Sequence, residues 1–488
     1  MGLRAPQHYV ESLRDGRVTY WDGERIDDIT THPRFRVPIA LTAVDHEYDA
    51  PDYGALRPYR TEEGGEAHRI YQVPTSEADL ATRVELLQHT SIGTAVSGVY
   101  MALMSVKDDV AQVNPACAAN IERMYRYCRD NDLRAAEVIT DPKGDRKRRA
   151  HEQDDPDLYV RIVDRTKDGI VVRGAKLHIT AASLVHELVV MPTKGMRQDE
   201  KDYAVSFSIP VNTKGVSIIN RSFAPAALNE FDYPASAHHS MPEGFVVFDD
   251  VLVPWDRVFL AGEVQLASRL AQSLGLWERT GGVIEAVRLS ELFVGLAQLV
   301  SEHQGKERDP VVMNTIAELI TYAEMLRMSL DYACRHFEQS PSGMVFPNVL
   351  GDQRGEILLC RQLPPDGAPP ARSQRRAGAD LADGGRPAPS GGRPVHPQVP
   401  AHQAGCRRRG PHAGLQPDPR PHRRCLWRLA VRGGAAGRRR LERPTHHDEP
   451  HLRPGARQGT GAGRGRGKAE GSRQAAGRRV ALQLKGPS

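Results

Sequence analysis

Apolar and polar positions alternate in three regimes along this 488-residue chain. Up to residue 139 the apolar positions recur every three or four residues, as amphipathic helices require. Residues 76–106 form one long periodic stretch that Ser76 can cap, with Glu77 and Asp79 in the favourable first turn. Residues 114–131 predict another helix, through Ala118, Ile121 and Met124. After Thr140 the period shortens to two. Residues 158–163 read as a strand, Lys167-Asp168-Gly169 as a hairpin turn, and residues 170–174 as the returning strand. Further strands are expected at 187–191, 203–209, 216–220 and 245–248. Spacing this short implies a barrel or sandwich rather than βαβ units. The helical period returns from Glu263, through residues 284–303 and 312–337. The expected organisation is α+β: a helical domain (1–139), a β-barrel domain (140–262) and a partial helical bundle (263–350).

Charge changes this picture at one place. The formal net charge is only +5, but residues 361–488 carry 27 Lys+Arg against 8 Asp+Glu, and the rest carries 39 against 53. The basic part lacks Ile, Phe, Tyr, Met and Asn altogether. Such a segment cannot bury enough apolar surface to offset its chain entropy, so residues 355–488 are expected to be a disordered basic tail. A nucleic-acid-binding arm is one reading, from Arg407-Arg408-Arg409 and Arg438-Arg439-Arg440, but Trp427 is its only aromatic residue for base stacking. A long solvated linker is another. The preferred reading is a frameshift, because the missing residue types have A/T-rich codons. Starting one nucleotide later over residues 355–367, 421–432 and 445–456 permits Tyr, Phe, Ile, Met and Asn to return. That places the break between Asn348 and Gly355.

No run of apolar residues approaches a membrane span, and residues 1–6 lack the apolar core of a signal peptide. Six cysteines without C-x-x-C spacing fit a reducing compartment, so a cytoplasmic protein without a metal site is expected. No Gly-rich fingerprint lies between a strand and a helix, which argues against a Rossmann enzyme.

Candidate chemistry concentrates at the junction of the helical and β regions. Thr140-Asp141-Pro142-Lys143-Gly144-Asp145-Arg146 reads as a turn whose backbone N–H groups, Lys143 and Arg146 can hold a pyrophosphate. An ordinary charged connector is the alternative. Residues 173–180 end a strand in small and hydroxyl residues, suited to a flat ligand at Thr180 or to a barrel corner. His186-Glu187 has no second His at helical spacing, so a structural His is favoured over a metal site. His238-His239 reads as a surface pair. Glu243 stands at a strand start, either as a buried acid or as a solvated one. Residues 249–259 read as a structural strand with Trp255 as a packing anchor.

Taken together, these segments resemble the 4-hydroxyphenylacetate 3-hydroxylase family, which includes two-component flavin monooxygenases and 4-hydroxybutyryl-CoA dehydratase. The matching residues begin with His8 to Leu13 and Thr31-His32-Pro33. They continue through Thr140 to Arg146, Asp168 to Ala175 and Met191-Pro192, and end with Lys201 to Ala204 and Phe248 to Phe259. The resemblance covers residues 1 to about 350. It implies an acyl-CoA dehydrogenase-like fold, usually tetrameric, with FAD held by Thr140, Asp141, Lys143, Gly144, Asp145, Arg146 and Thr180. It also implies a flavin reductase that supplies FADH2, with O2 and a small aromatic compound as co-substrates, and Tyr100 as a catalytic candidate, to which the residue reading adds Glu243.

The departures are informative. The hydroxylases' pocket Arg is Val96 here, and their pocket His is Glu137. Gly93 and Ser97 stand where the dehydratases carry paired Cys, and residues 277–283 contain neither His nor Cys. An iron–sulfur cluster without its thiolates is implausible. The expectation is therefore an FAD-dependent aromatic monooxygenase, with a cluster-free lyase or isomerase on an acyl-CoA as the alternative and a nucleic-acid-binding protein as the distant third. Without the helices that an intact C-terminus would supply, the apolar face of the bundle should lie uncovered and flavin retention should be poor.

Overall fold

A computed structural model describes residues 2–221 and 230–349, so the tail expected from residue 355 lies outside the described residues. The chain opens with α1 (Pro6–Ser12), β1 (Thr19–Trp21), β2 (Glu24–Ile26) and α2 (Pro33–Val44). A small hairpin of β3 (Pro58–Arg60) and β4 (Glu66–His68) precedes α3 (Glu77–Gln88), α4 (Ile92–Ala95), α5 (Val99–Ser105), α6 (Lys107–Val113) and α7 (Pro115–Asp130). Next come β5 (Ala135–Val138), β6 (Arg161–Arg165), β7 (Gly169–Thr180), β8 (Glu187–Val190), β9 (Val205–Pro210) and β10 (Val216–Arg221). The short α8 (Pro234–His239), β11 (Glu243–Pro254) and β12 (Val258–Ala261) lead into two long helices, α9 (Val264–His303) and α10 (Pro310–Arg335).

Local chemistry explains the helix boundaries. Ser76 accepts the Asp79 amide at 3.2 Å and starts α3. Asn114 accepts the Cys117 amide, and Pro115 occupies the first turn of α7, where its missing N–H costs nothing. The periodic stretch 76–106 is not one helix. The Asp45 carboxylate takes both the Ser91 amide (3.0 Å) and its hydroxyl (2.5 Å), and the chain turns there between α3 and α4. These bonds satisfy at the break the groups that a continuous helix would have satisfied within itself.

The strands form a six-stranded sheet, in the order β2-β1-β10-β11-β7-β6, and a four-stranded sheet, β12-β9-β8-β5. The expected closed barrel is not found among the described residues. The two sheets keep separate ladders and meet through side chains, as at Phe207 on β9 and Phe248 on β11, packed edge to face at 5.9 Å. Ile170, Val172, Val216, Ile218, Val246 and Phe248 from one sheet share a core with Val138, Leu188, Val190 and Phe207 from the other. Five short strands, β1 to β5, come from the first third, where the sequence suggested only helices. β1 pairs parallel with β10, and β5 pairs parallel with β8. The turn foreseen at residues 167–169 joins β6 to its antiparallel partner β7, closed by Thr166 N–H to the Gly169 carbonyl at 2.8 Å. Gly174, at φ +128°, is required on β7 because a Cβ there would strike the Tyr159 carbonyl.

The outer face of the four-stranded sheet packs on the helices through Ala135, Val189, Met191, Phe259 and Leu260. This second core continues into Tyr100, Ile121, Leu270 and Leu326. α9 is buried along its first half and then carries Leu292, Phe293, Leu296 and Leu299 about half exposed. On α10, Val311 and Met328 are about 70% exposed. No helix of the described residues is long and apolar enough to cross a membrane.

Candidate functional site

β5 is an edge strand whose residues alternate between two environments. Ala136 and Val138 enter the core between the sheets, while Ala135 and Glu137 face the helices. Beside that edge, α3, α4 and the first half of α9 enclose a cavity of about 810 Å3. That volume is of the size that holds a small molecule or cofactor, roughly 300–1,000 Å3. Leu80, Val84, Leu87, Ile92 and Trp277 give it apolar walls, and Arg83, Glu137 and Glu278 are charged groups in its lining, beside the buried Asp45.

Each of those groups is unusual. Arg83 is 6% exposed and donates from Nη1 to the Ile70 carbonyl at 2.9 Å. Its guanidinium lies 5.2 Å from the centre of the Trp277 ring, and no carboxylate pairs with it among the described residues. Burial pulls its pKa down to about 10. Glu137 and Glu278 turn their carboxyl groups toward each other within hydrogen-bonding reach. Burial, and then the neighbouring carboxylate, pushes Glu137 well above the ordinary range; burial also raises Glu278. Glu278 is the member with open surface, because the cavity reaches it although protein surrounds it on its other sides. Three buried polar atoms in this wall have no hydrogen-bond partner: Arg83 Nε, Glu137 Oε2 and Trp277 Nε1.

The turn 140–146 follows the C-terminal end of β5. Lys176 Nζ, 3% exposed as a residue, bonds Asp141 Oδ1 (2.8 Å) and the Ile139 and Met191 carbonyls. Thr193 donates to the other Asp141 oxygen. The Thr140 carbonyl accepts the Leu177 amide at 2.8 Å, which ties the turn to β7. A Cβ at Gly144 would approach Gln153 Oε1 and Tyr159 Oη to 2.5 and 2.6 Å, so a larger residue would make those side chains shift. Lys143, Asp145 and Arg146 are exposed, and Gln153 holds the Asp145 amide at 2.9 Å.

The remaining expected residues fall in three places. Thr180 and Glu243 face each other across β7 and β11, with Thr180 Oγ1 donating to Glu243 Oε1 at 2.8 Å; burial raises the Glu243 carboxyl. Tyr100 is fully buried on α5, its hydroxyl 3.4 Å from Ser208 Oγ and 3.3 Å from Cys128 Sγ, and burial raises it well above the usual phenol range. Neither Tyr100 nor Glu243 lines the cavity, whereas Val96 and His239 do. His186 accepts the Arg134 amide at Nδ1 (2.9 Å) and meets Ser12 Oγ at Nε2 (2.8 Å). Burial holds it neutral, so it is a structural imidazole. Glu187 pairs with Arg257 at 2.9 Å and accepts from Ser208. No group of three or more possible metal ligands occurs among the described residues. Gly93 and Ser97 hold the places of the paired thiolates. Cys334 reaches the cavity alone, so the donors present do not fit an iron–sulfur cluster.

Sequence reasoning singled out Glu137 but missed Glu278 and Arg83. Arg83 sits on a periodic helix and carried no motif; its only signal was a charged residue within the apolar repeat.

Comparison with known proteins agrees with this geometry. Residues 5–260 match the family model for the 4-hydroxyphenylacetate 3-hydroxylase N-terminal region, and residues 267–364 match the model for its C-terminal region. The chain is 30% identical over 377 residues to a 4-hydroxyphenylacetate 3-monooxygenase oxygenase component of Thermus thermophilus, covering 74% of this chain and 76% of that protein. It is also 30% identical over 380 residues, with the same coverage, to a 4-hydroxybutyryl-CoA dehydratase/vinylacetyl-CoA-Δ-isomerase of Clostridium aminobutyricum. Among solved structures, an oxygenase component of 4-hydroxyphenylacetate 3-monooxygenase complexed with FAD superposes with a TM-score of 0.65. It shares 28% identity, over 73% of this chain and 78% of that one.

Proposed function

The chain belongs to the 4-hydroxyphenylacetate 3-hydroxylase family, and from that premise we propose that it is the oxygenase component of a flavin-dependent monooxygenase. Its substrate is a phenolic or related aromatic compound, its cofactor is FAD delivered reduced by a separate reductase, and its co-substrate is O2. The carrying observation is the large, mostly apolar cavity beside β5 in a chain whose family includes FAD-bound oxygenases. The missing thiolate donors weigh against the family's dehydratase chemistry.

The residues present suit a flavin. In the turn 140–146, Gly144 gives close backbone access and Lys143 and Arg146 supply two exposed cations for a pyrophosphate. Thr180 adds a hydroxyl at the far end of β7. FAD, when bound, supplies the redox and oxygen chemistry. The protein's part is to bind and orient the aromatic ring and to keep water from the reacting centre. The apolar walls from Leu80, Val84, Leu87 and Ile92 serve the second need. Arg83 supplies a guanidinium in place of the one missing at Val96, so the cavity retains a partner for an acidic ring substituent. The substrate-facing roles fall to Arg83 and Glu278, which line the cavity, rather than to Tyr100 and Glu243, which do not.

The half-exposed apolar residues on α9 and α10 suit burial against further helices or other subunits, which supports a homo-oligomer, a tetramer when the C-terminus is intact. The family match ends at residue 364, before most of the basic stretch. An out-of-frame origin for the stretch is tested by resequencing codons 345–365.

The test of function is reductase-coupled turnover of the full chain with NADH, FAD and a panel of phenols. The expected result is oxygen consumption with a hydroxylated product. Anaerobic turnover of 4-hydroxybutyryl-CoA, with no product from any phenol, would replace this reading with the lyase alternative.

A further inference from the structure

The cavity contains a feature that an aromatic-binding pocket does not need. Glu137 on β5 and Glu278 on α9 bring two carboxyl groups together in its wall. Among the described residues no cation pairs with either one, although Arg83, His89, His239 and Arg288 also face the cavity, with Asp45 and Glu285 as its other acids. Arg288 is held by Glu285 at 2.8 Å, and Arg83 lies over Trp277. Two carboxylates in contact without a counter-ion cannot both ionise near neutral pH. The pair therefore shares one proton, and Glu278, the member that the cavity reaches, presents its carboxyl to the open space.

We propose, on the reading that this cavity takes an aromatic substrate, that Glu278 backed by Glu137 is the receptor for a neutral phenolic hydroxyl, and that the pair excludes the phenolate. A neutral phenol donates its O–H to the Glu278 carboxylate, a charge-assisted bond of the stronger class. A phenolate brings a second negative charge to the same place, in a wall whose apolar neighbours screen poorly. The cavity therefore selects the protonated form of its ligand. An arginine receptor would do the reverse, and Arg83 stands on α3 as the competing end for an acidic substituent.

The test uses 4-nitrophenol, whose neutral and ionised forms absorb differently, bound to the full chain at equilibrium without flavin, oxygen or turnover. At the pH where the free probe is half ionised, the bound probe is expected to be neutral, its ionisation midpoint raised by at least about one pH unit, tenfold in the phenol-to-phenolate ratio. Calorimetry in two buffers should record uptake of about half a proton per probe bound at that pH. Glu278→Gln removes the charge that meets the ligand and should return the midpoint to near the free value. Glu137→Gln leaves Glu278 ionised and should keep the probe neutral. A bound probe that is ionised, a midpoint indifferent to Glu278→Gln, proton release on binding, or no binding to the unaltered chain would each overturn the proposal. If Glu278→Gln does not fold, calorimetry on the unaltered chain decides alone. Failure of hydroxylation with a neutral bound probe would overturn the oxygenase reading and leave this inference standing. An ionised bound probe with intact hydroxylation would do the opposite.

Discussion

Replacing Asp132 by Asn should destabilise the protein more than any surface substitution, and the structure sets the size. Asp132 is 1% exposed and receives four donors: Arg134 Nη1 at 2.7 Å, His46 Nδ1 at 3.1 Å, Tyr48 Oη at 2.8 Å and the Arg4 amide at 2.9 Å. Burial alone would raise its pKa, but the Arg134 guanidinium and His46 hold it well below the usual carboxylate range. Arg134 is fully buried, and its backbone carbonyl takes the amides of His186 and Glu187, aligning β5 with β8. Asn keeps the shape and loses the charge, so a buried guanidinium is left without its counter-ion. Breaking a buried pair in this way costs about 3–5 kcal/mol. With a urea slope of about 2 kcal/mol/M, the unfolding midpoint should fall by roughly 2 M. Asp132→Asn combined with Arg134→Met removes both charges and should recover at least part of the loss. Urea titration followed by circular dichroism measures all three proteins. A single-variant loss under about 0.5 kcal/mol, as for an exposed pair, would refute the argument that this network fixes β5 and hence Glu137.

Acid should weaken the fold well before carboxylates titrate. Burial pulls His46 down to about 4 and His68 and His186 well below their usual range, so each stays neutral when folded. The unfolded chain binds more protons below its His pKa of about 6.5, so stability falls as pH drops from about 6.5 toward 4, by up to about 1.4 kcal/mol per pH unit for each His; thermal melts that do not move between pH 7 and 5 would contradict this. Arg83→Met should weaken binding of aromatic carboxylates about tenfold or more and spare uncharged phenols, read from Trp277 fluorescence. Equal loss for both classes would assign Arg83 to packing alone. Leu296→Lys with Met328→Lys should reduce self-association in sedimentation velocity, because both residues sit on the exposed apolar faces of α9 and α10; unchanged association would place the contact elsewhere.

The legible parts of this molecule were those coded locally. The turn at Lys167-Asp168-Gly169 and the strands around it follow from period and turn residues within a dozen positions, and the structure has β6 and β7 there. The caps at Ser76 and Asn114 were equally local. β1 and β5 were not legible. Each is three or four residues long and exists because a distant strand offers a parallel ladder, which no short window shows. The barrel expectation failed at the same point, since sheet closure depends on how edges meet rather than on strand count. Within the site, Glu137 was visible as a departure from the family pattern, but its meaning needed Glu278, far along the chain on α9. Arg83 looked like one more charge on an amphipathic helix until its burial and its missing counter-ion were seen.

The most direct test of the central claim is the fate of isotopically labelled dioxygen in turnover of the full chain with reduced FAD and a phenol. The account predicts one labelled oxygen atom in the ring of the hydroxylated product. Product carrying oxygen from water instead, or oxygen consumed with no labelled product from any phenol tried, would contradict it.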